Sequence, residues 1–331
     1  MSTTTLLDKM RKAGSLQSTT LDKSEFFADR DIISTEIPII NVAFSGNLDG
    51  GLSTGITVFA GDSKTFKTLL GLYCIKAYMN AYEDSVCLFY DSEFGSTLEY
   101  MEKIGIPMNR VEHIGLENVG QLKSDLVKRL DVIERGEKVF IFVDSLGNLA
   151  SRKEIEDARE EKTVADMTRA KDIKSLFRII TPMINMRDIP CVIVNHTYDT
   201  MELYSKPVVS GGKGIMYSAN QVFIISKAQI KDKDNDIVGY KFTITIDKSR
   251  YVKEKSKLSF SALYETGLDV HSGLFDLAME AGIVKEVSKG WYSSDGKNKV
   301  RKSEIEADNA FFDEILADDD FKSFVNNKYK S

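Results

Sequence analysis

The sequence predicts an α/β fold with a mainly parallel sheet flanked by helices, an N-terminal helix and arm before it and a small C-terminal α/β domain after it. Three observations carry that prediction. From Ile56 to about Lys227, short β-branched or aromatic runs alternate with longer helical stretches, the pattern of buried parallel strands covered on both faces. The first of these runs, ITVFA, passes through a loop, GDSKTFKT, into a helix, giving strand, loop and helix in that order. After Lys227 the texture changes to YKFTITID and KLSFSALYE, read as an antiparallel pair, and then to helices around GWYSSDGKNK.

The segment from residue 1 to about 35 is polar with scattered apolar positions (Leu6, Leu7, Met10, Phe26 and Phe27), which suggests a short helix and arm outside the core. A core is expected over 36–272 and a small domain over 273–331. The helix after the loop is marked by Leu69, Leu70, Tyr73, Cys74, Ala77 and Tyr78 at helical spacing. Further strands are expected at SVCLFYDSE, VFIFVDS, CVIVNHT and QVFIISK. A long helix is expected from about Val164 to Met186, kinked or ended by Pro182.

Composition excludes several classes. No apolar run approaches the ~20 residues that span a bilayer, and the N-terminus lacks the apolar core of a signal peptide, so a cytoplasmic, membrane-free protein is expected. Cys74, Cys87 and Cys191 form no C-x-x-C pair and lie in apolar stretches, favouring reduced core thiols over disulfides or a structural metal. The net charge of −6 argues against a generally basic nucleic-acid coat and leaves room for a local basic lining.

The loop Gly61, Asp62, Ser63, Lys64, Thr65, Phe66, Lys67, Thr68 fits G-x-x-x-x-G-K-[ST] except that Phe66 stands where the second glycine belongs. Phosphates need backbone N–H groups at a helix N-terminus, a lysine and a hydroxyl on magnesium, roles that fall to Lys67 and Thr68. Phe66 is acceptable if its backbone stays helical and its ring points away from the phosphates. Asp144, closing the apolar strand VFIFVD, is either the acid of a magnesium sphere or a helix cap. Ser145 follows it, so the base that activates water must come from elsewhere. Glu93 meets that need if the strand before it lies beside the loop strand, and is otherwise a solvated turn acid. Asn195 and His196 end a third strand where a polar group can sense a γ-phosphate, although a lone histidine is more often structural.

The stretch after His196, TYDTMELYSKPVVSGGKGIMYSA, exceeds the usual inter-strand connection and reads as a functional loop. Gly211, Gly212 and Gly214 give it mobility, Lys206 and Lys213 can meet phosphate, and Tyr198, Met201, Tyr204 and Met216 can stack on bases; the alternative is a lid over the nucleotide. Lys248 and Arg250 are two apart on an expected strand, projecting from one face toward a phosphate of a neighbouring subunit, or they are a solvated basic turn.

Taken together, FAGDSKTFKT, LFYDSEFGST, VFIFVDSLGNLAS, VNHTYDT and SGGKGIMYSANQVFII resemble the RecA family of strand-exchange recombinases, most nearly its UvsX-like phage branch, which also carries phenylalanine at the second loop glycine. The likeness covers about Phe26 to Trp291. It implies a RecA-like P-loop ATPase core that uses ATP and Mg2+, with Lys67 and Thr68 on phosphate and magnesium, Asp144 in the magnesium sphere and Glu93 polarising the attacking water. It implies Tyr100 stacked on adenine and His196 in the place of a glutamine that couples the γ-phosphate to DNA. It also implies Lys248 and Arg250 reaching the neighbour's ATP, the Gly211 loop as the second DNA-binding loop, and the first among residues near Arg152 to Arg169. Arg169, Lys171, Lys206 and Lys213 are the candidate cations of the groove, and the arm with Phe26 or Phe27 would dock on the next subunit.

The resulting expectation is a DNA-dependent ATPase that forms a helical filament on single-stranded DNA and exchanges it with homologous duplex DNA. A recombination mediator and a single-strand-binding protein are expected partners, and a bacterial host cytoplasm the setting. A ring helicase or ATP-driven switch on the same core, and a non-catalytic mediator, are the alternatives.

Overall fold

The computed structural model describes residues 5–27, 31–162, 168–199 and 207–331. Val164, Met201, Tyr204 and Lys206, named above, lie outside the described residues, as do the side chains of Phe27 and Lys213. The chain divides into two units, Met1–Asp31 and Ile32–Ser331. The first contains α1 (Leu6–Ala13), started by a capping box in which Thr5 and Asp8 bond each other's backbone N–H. None of its residues is buried, and Leu6, Leu7 and Met10 are exposed.

The second unit opens with α2 (Pro38–Ser45), β1 (Gly55–Gly61), α3 (Lys67–Ala81), β2 (Val86–Asp91), α4 (Leu98–Ile104), β3 (Val111–Gly115) and α5 (Val119–Val132). Next come β4 (Val139–Asp144), α6 (Arg152–Arg159), α7 (Thr168–Arg187), β5 (Pro190–Asp199), β6 (Pro207–Val209), α8 (Lys213–Ser218) and β7 (Gln221–Lys231). The chain continues through β8 (Ile237–Lys248), β9 (Lys257–Leu263), β10 (Gly267–Leu268), α9 (Leu274–Glu280), β11 (Lys285–Ser288), β12 (Trp291–Ser293), α10 (Lys302–Glu306), α11 (Asn309–Ala317) and α12 (Asp319–Tyr329).

The main sheet runs β10-β9-β8-β7-β1-β5-β4-β2-β3, with β6 paired to the far end of β5. The strands from β7 across to β3 are parallel, and β8, β9 and β10 extend the edge in antiparallel fashion. Period-two alternation splits the core. Ile56, Val58 and Ala60 of β1 join α5, α7 and α8 on one face, while Phe59 joins α2 and α3 on the other. On that second face the Phe44, Phe59 and Phe223 rings lie 5.6–6.1 Å apart, each pair adding roughly 0.5–1.5 kcal/mol beyond burial.

Three expectations need correction. Pro182 does not end α7, which continues to Arg187; the ring removes one N–H donor, and beside it the Thr181 hydroxyl donates to the Phe177 carbonyl at 2.6 Å. β2 does not lie beside β1, because β4 and β5 intervene. The expected single long loop after His196 is partly regular: β5 runs on to Asp199, β6 pairs back on it, and α8 follows Gly211 and Gly212.

Residues from α9 onward share the hydrophobic cluster of α2 and α3, through Leu274, Phe312, Phe321 and Tyr329. The end of α12 is joined to the turn after β8: Lys253 N–H donates to Tyr329 O at 2.8 Å and Ser331 N–H to Tyr251 O at 3.0 Å.

Candidate nucleotide and catalytic site

The loop Gly61–Thr68 turns between the buried strand β1 and the start of α3. A Cβ at Gly61 would sit 2.3 Å from Ile225 O, so only glycine allows β7 to pass so near. Phe66, however, does not keep the right-handed helical backbone expected of it. Its φ of +71° is left-handed, the region that glycine takes without cost and other residues at roughly 1–2 kcal/mol. The ring explains the tolerance. It packs on Phe242 of β8 and Phe260 of β9 with centroids 4.7 and 5.5 Å away, on the sheet side of the loop.

Lys67 is buried, and its Nζ donates to Asp62 O at 2.5 Å and Thr65 Oγ1 at 3.2 Å. Burial lowers its pKa, against the pull of Glu93 and Asp144. Thr68 Oγ1 donates to Asp144 Oδ2 at 2.8 Å, linking loop and β4. Asp144 is buried, and its Oδ1 has no hydrogen-bond partner among the described residues. Burial, with the charges of Glu93 and Asp91, pushes its pKa up to about 7 against the Thr68 bond and Lys67. A buried hydroxyl–carboxylate pair with one oxygen unsatisfied suits a Mg2+ that takes its other ligands from phosphate and water. Among the described residues no group of three His, Cys, Asp or Glu side chains is placed to hold a metal ion.

Glu93 reaches this cleft although its strand is not next to β1. In-register pairing of Asp91 with Asp144 sets the ends of β2 and β4 side by side. Asp91 Oδ1 then accepts the Glu93 and Phe94 N–H groups at 2.9 and 2.7 Å, turning the chain over the end of β4. Glu93 Oε1 accepts the Ser145 hydroxyl at 2.5 Å and the Asn148 amide at 3.0 Å, and lies 3.2 Å from His196 Nε2. His196 is tied onward by its backbone. Its carbonyl accepts the Ser210 N–H at 2.9 Å while Asn195 Nδ2 donates to Ser210 O at 2.7 Å, immediately before Gly211 (φ +91°) and Gly212 (φ +78°).

A cleft of about 610 Å³ is lined by Ser63 to Leu69, Glu93, Tyr100, Asp144 and His196, among others. Tyr100, on α4, borders it as a residue two-fifths exposed, and partial burial pushes the phenol up to about 12.

Other expected residues lie elsewhere. β8 ends at Lys248, and Arg250 sits in the turn beyond, so the two do not share a strand face. Lys248 Nζ donates to the carbonyls of Met216 and Ala219 at 2.5 and 2.7 Å, capping α8 of its own chain, while Arg250 is exposed. Arg169 is turned inward: its guanidinium donates to the carbonyls of Leu149, Gly147 and Leu146 at 2.7, 2.8 and 3.2 Å, because these orphan acceptors follow β4 directly under α7. Lys171 is exposed on α7.

Sequence reasoning gave no role to Asp91, Asn148 or Lys227 and saw Ser145 only as a residue unable to serve as the base. Lys227 Nζ braces the loop tip by donating to Lys64 O at 3.1 Å. The only sequence signal for Ser145 and Asn148 was their position just after the acid of β4.

Comparison with known proteins decides the family. A model of the RecA N-terminal domain matches residues 7–269. The chain belongs to the RecA family. Within it, a model described as the C-terminal domain of the bacteriophage T4 recombination and repair protein matches residues 271–325 of this RecA-family chain. The recombination and repair protein of Enterobacteria phage T4 is 52% identical over 273 residues, covering 82% of this chain and 70% of that one. Protein RecA of Chlorobium limicola is 27% identical over 276 residues, 80% of this chain and 76% of the relative. RecA of Malacoplasma penetrans is 20% identical and spans 89% of both.

Proposed function

We propose that this RecA-family chain is a recombinase of DNA recombination and repair, a DNA-dependent ATPase that polymerises on single-stranded DNA and exchanges it with a homologous duplex. One observation carries the coupling: the carboxylate of Glu93, which lines the cleft, contacts His196, whose backbone holds Ser210 ahead of Gly211 and Gly212. Nucleotide chemistry and the glycine loop thus share one residue.

In this reading the N–H groups of Gly61 to Thr68 and the Lys67 ammonium bind the ATP phosphates, and Tyr100 stacks on the base. Mg2+, held by Thr68 and Asp144, would neutralise phosphate charge. Glu93 Oε2 accepts the proton of the attacking water while the donors on Oε1 keep the group oriented. His196 follows the γ-phosphate and moves the Ser210 strand with it. Lys248 and Arg250 serve the neighbouring subunit's ATP, and for Lys248 that requires leaving the carbonyls of α8. Lys171, Lys206, Lys213 and the Gly211–Gly212 backbone contact DNA, with Arg169 shaping the loop after β4. The arm with Phe26 docks on the next subunit, giving a domain division of 1–35, 36–272 and 273–331. A mediator and a single-strand-binding protein load the filament in the host cytoplasm; among the described residues no helix is long and apolar enough to cross a membrane.

The test is ATP hydrolysis with and without single-stranded DNA, with the same samples imaged. Stimulated turnover with helical filaments is expected, followed by strand exchange. Rings would point to a helicase-like motor, and DNA binding without turnover to a mediator.

A further inference from the structure

Glu93 Oε1 receives contacts from three segments at once: Ser145 at the end of β4, Asn148 in the loop beyond it and His196 on β5. No described donor reaches Oε2. Two of the three partners have other duties. Ser145 is buried and also exchanges hydrogen bonds with Ser92, its N–H donating to Ser92 Oγ at 3.1 Å and its carbonyl accepting that hydroxyl at 2.8 Å. His196 continues a strand and holds Ser210 through its backbone. Asn148 is different. It is exposed, and among the described residues its side chain bonds only Glu93, so packing does not account for its ordered amide.

The loop around Asn148 is built to aim that amide. Arg169 holds the carbonyls of the residues on either side, Gly147 at 2.8 Å and Leu149 at 2.7 Å, and the Leu149 N–H donates to Leu146 O at 3.3 Å. A guanidinium fork fixes the orientation of such a loop better than a point charge does. The terminal torsion of a glutamate is broad and nearly two-fold, so without fixed donors its two oxygens exchange freely.

We infer that Asn148 is a positioning residue for ATP hydrolysis: it pins Oε1 of Glu93 so that Oε2 alone faces the attacking water. The inference rests on Glu93 being the water-polarising group. Asn148 touches neither phosphate nor water in this scheme and acts entirely through Glu93.

The experiment compares DNA-stimulated ATP turnover in Asn148→Ala, Asn148→Asp, Glu93→Gln and the double variant Glu93→Gln with Asn148→Ala. Asn148→Asp keeps the side chain's shape and replaces the donor with an acceptor, so a packing role would survive it. The expected result is a kcat lower by ~10-fold in Asn148→Ala and at least as much in Asn148→Asp, the scale of a misplaced catalytic group, with the KM for ATP within about twofold and the melting temperature unchanged. Glu93→Gln should lose ~10² to 10⁴ in kcat, and adding Asn148→Ala to it should cost nothing further, because the two act as one unit. Wild-type kcat in Asn148→Asp beside a disabled Glu93→Gln overturns the inference alone, as does a further loss in the double variant or a change confined to KM. Wild-type turnover in Glu93→Gln removes the reading beneath it.

Discussion

Thr68 Oγ1 donates to one oxygen of Asp144 at 2.8 Å, and the other oxygen of that carboxylate is buried with no hydrogen-bond partner among the described residues. Without a cation beside it, the buried carboxylate is penalised in its charged form. With its pKa raised from 3.8 to about 7, chiefly by burial, Asp144 favours the folded state in its protonated form. The stability this gives is full below the unfolded pKa and is lost as pH rises through the folded one. In chelator, the wild type should therefore lose of order 3 kcal/mol between about pH 4 and pH 8 through this group, which Asp144→Asn should retain. Melting temperatures across that window check it; parallel pH profiles for the two proteins would show that Asp144 is not penalised.

Phe66 offsets a left-handed backbone with ring packing on Phe242 and Phe260. Restoring glycine relieves the backbone and loses the ring, whereas alanine loses the ring and keeps the strain. Phe66→Gly should cost roughly 1–2 kcal/mol and Phe66→Ala about 1 kcal/mol more, read from urea midpoints. A Phe66→Gly protein as stable as wild type would mean that the aromatic contact contributes nothing.

Lys248 and Arg250, paired in the proposed cross-subunit role, separate in stability. Lys248 caps α8, so Lys248→Ala should cost about 1–2 kcal/mol, while exposed Arg250→Ala should stay within about 0.5 kcal/mol. Arg250→Ala is therefore the cleaner probe. It should bind nucleotide as a monomer yet show weakened DNA-stimulated hydrolysis, and normal stimulation in this variant would argue against a reach across subunits.

Tyr100 borders the cleft with its ring partly open. If it stacks on adenine, Tyr100→Ala should raise the KM for ATP by ~10-fold, the low end of a stacking contribution, and Tyr100→Phe should leave it unchanged. Equal KM values for all three proteins would remove Tyr100 from the nucleotide site.

The parallel strands were readable because buried apolar runs such as VFIFVD and CVIVN have little other use. β3 was not, since VEHIG is short and mixes polar with apolar residues at an edge of the parallel array, where burial is incomplete. The meeting of Thr68, at the start of α3, with Asp144, at the end of β4, was legible from local chemistry. The conformation of Phe66 was not, because what makes it tolerable lies far along the chain in β8 and β9. The carbonyl contacts of Lys248 and Arg169 were not legible for a related reason. A cation in the sequence advertises charge, but whether it faces a phosphate or a set of orphan carbonyls depends on which loop or helix end the fold brings beneath it.

The junction between α12 and Tyr251–Lys253 has a mechanical consequence. Arg250 stands on a short ribbon whose next three residues are stitched to the end of a helix. A load applied to α12, by a bound protein or by strain along a polymer, is delivered to that ribbon as a pull on its base. Helix α12 is thus tied to the base of the ribbon that carries Arg250, the residue proposed to reach the adjoining subunit.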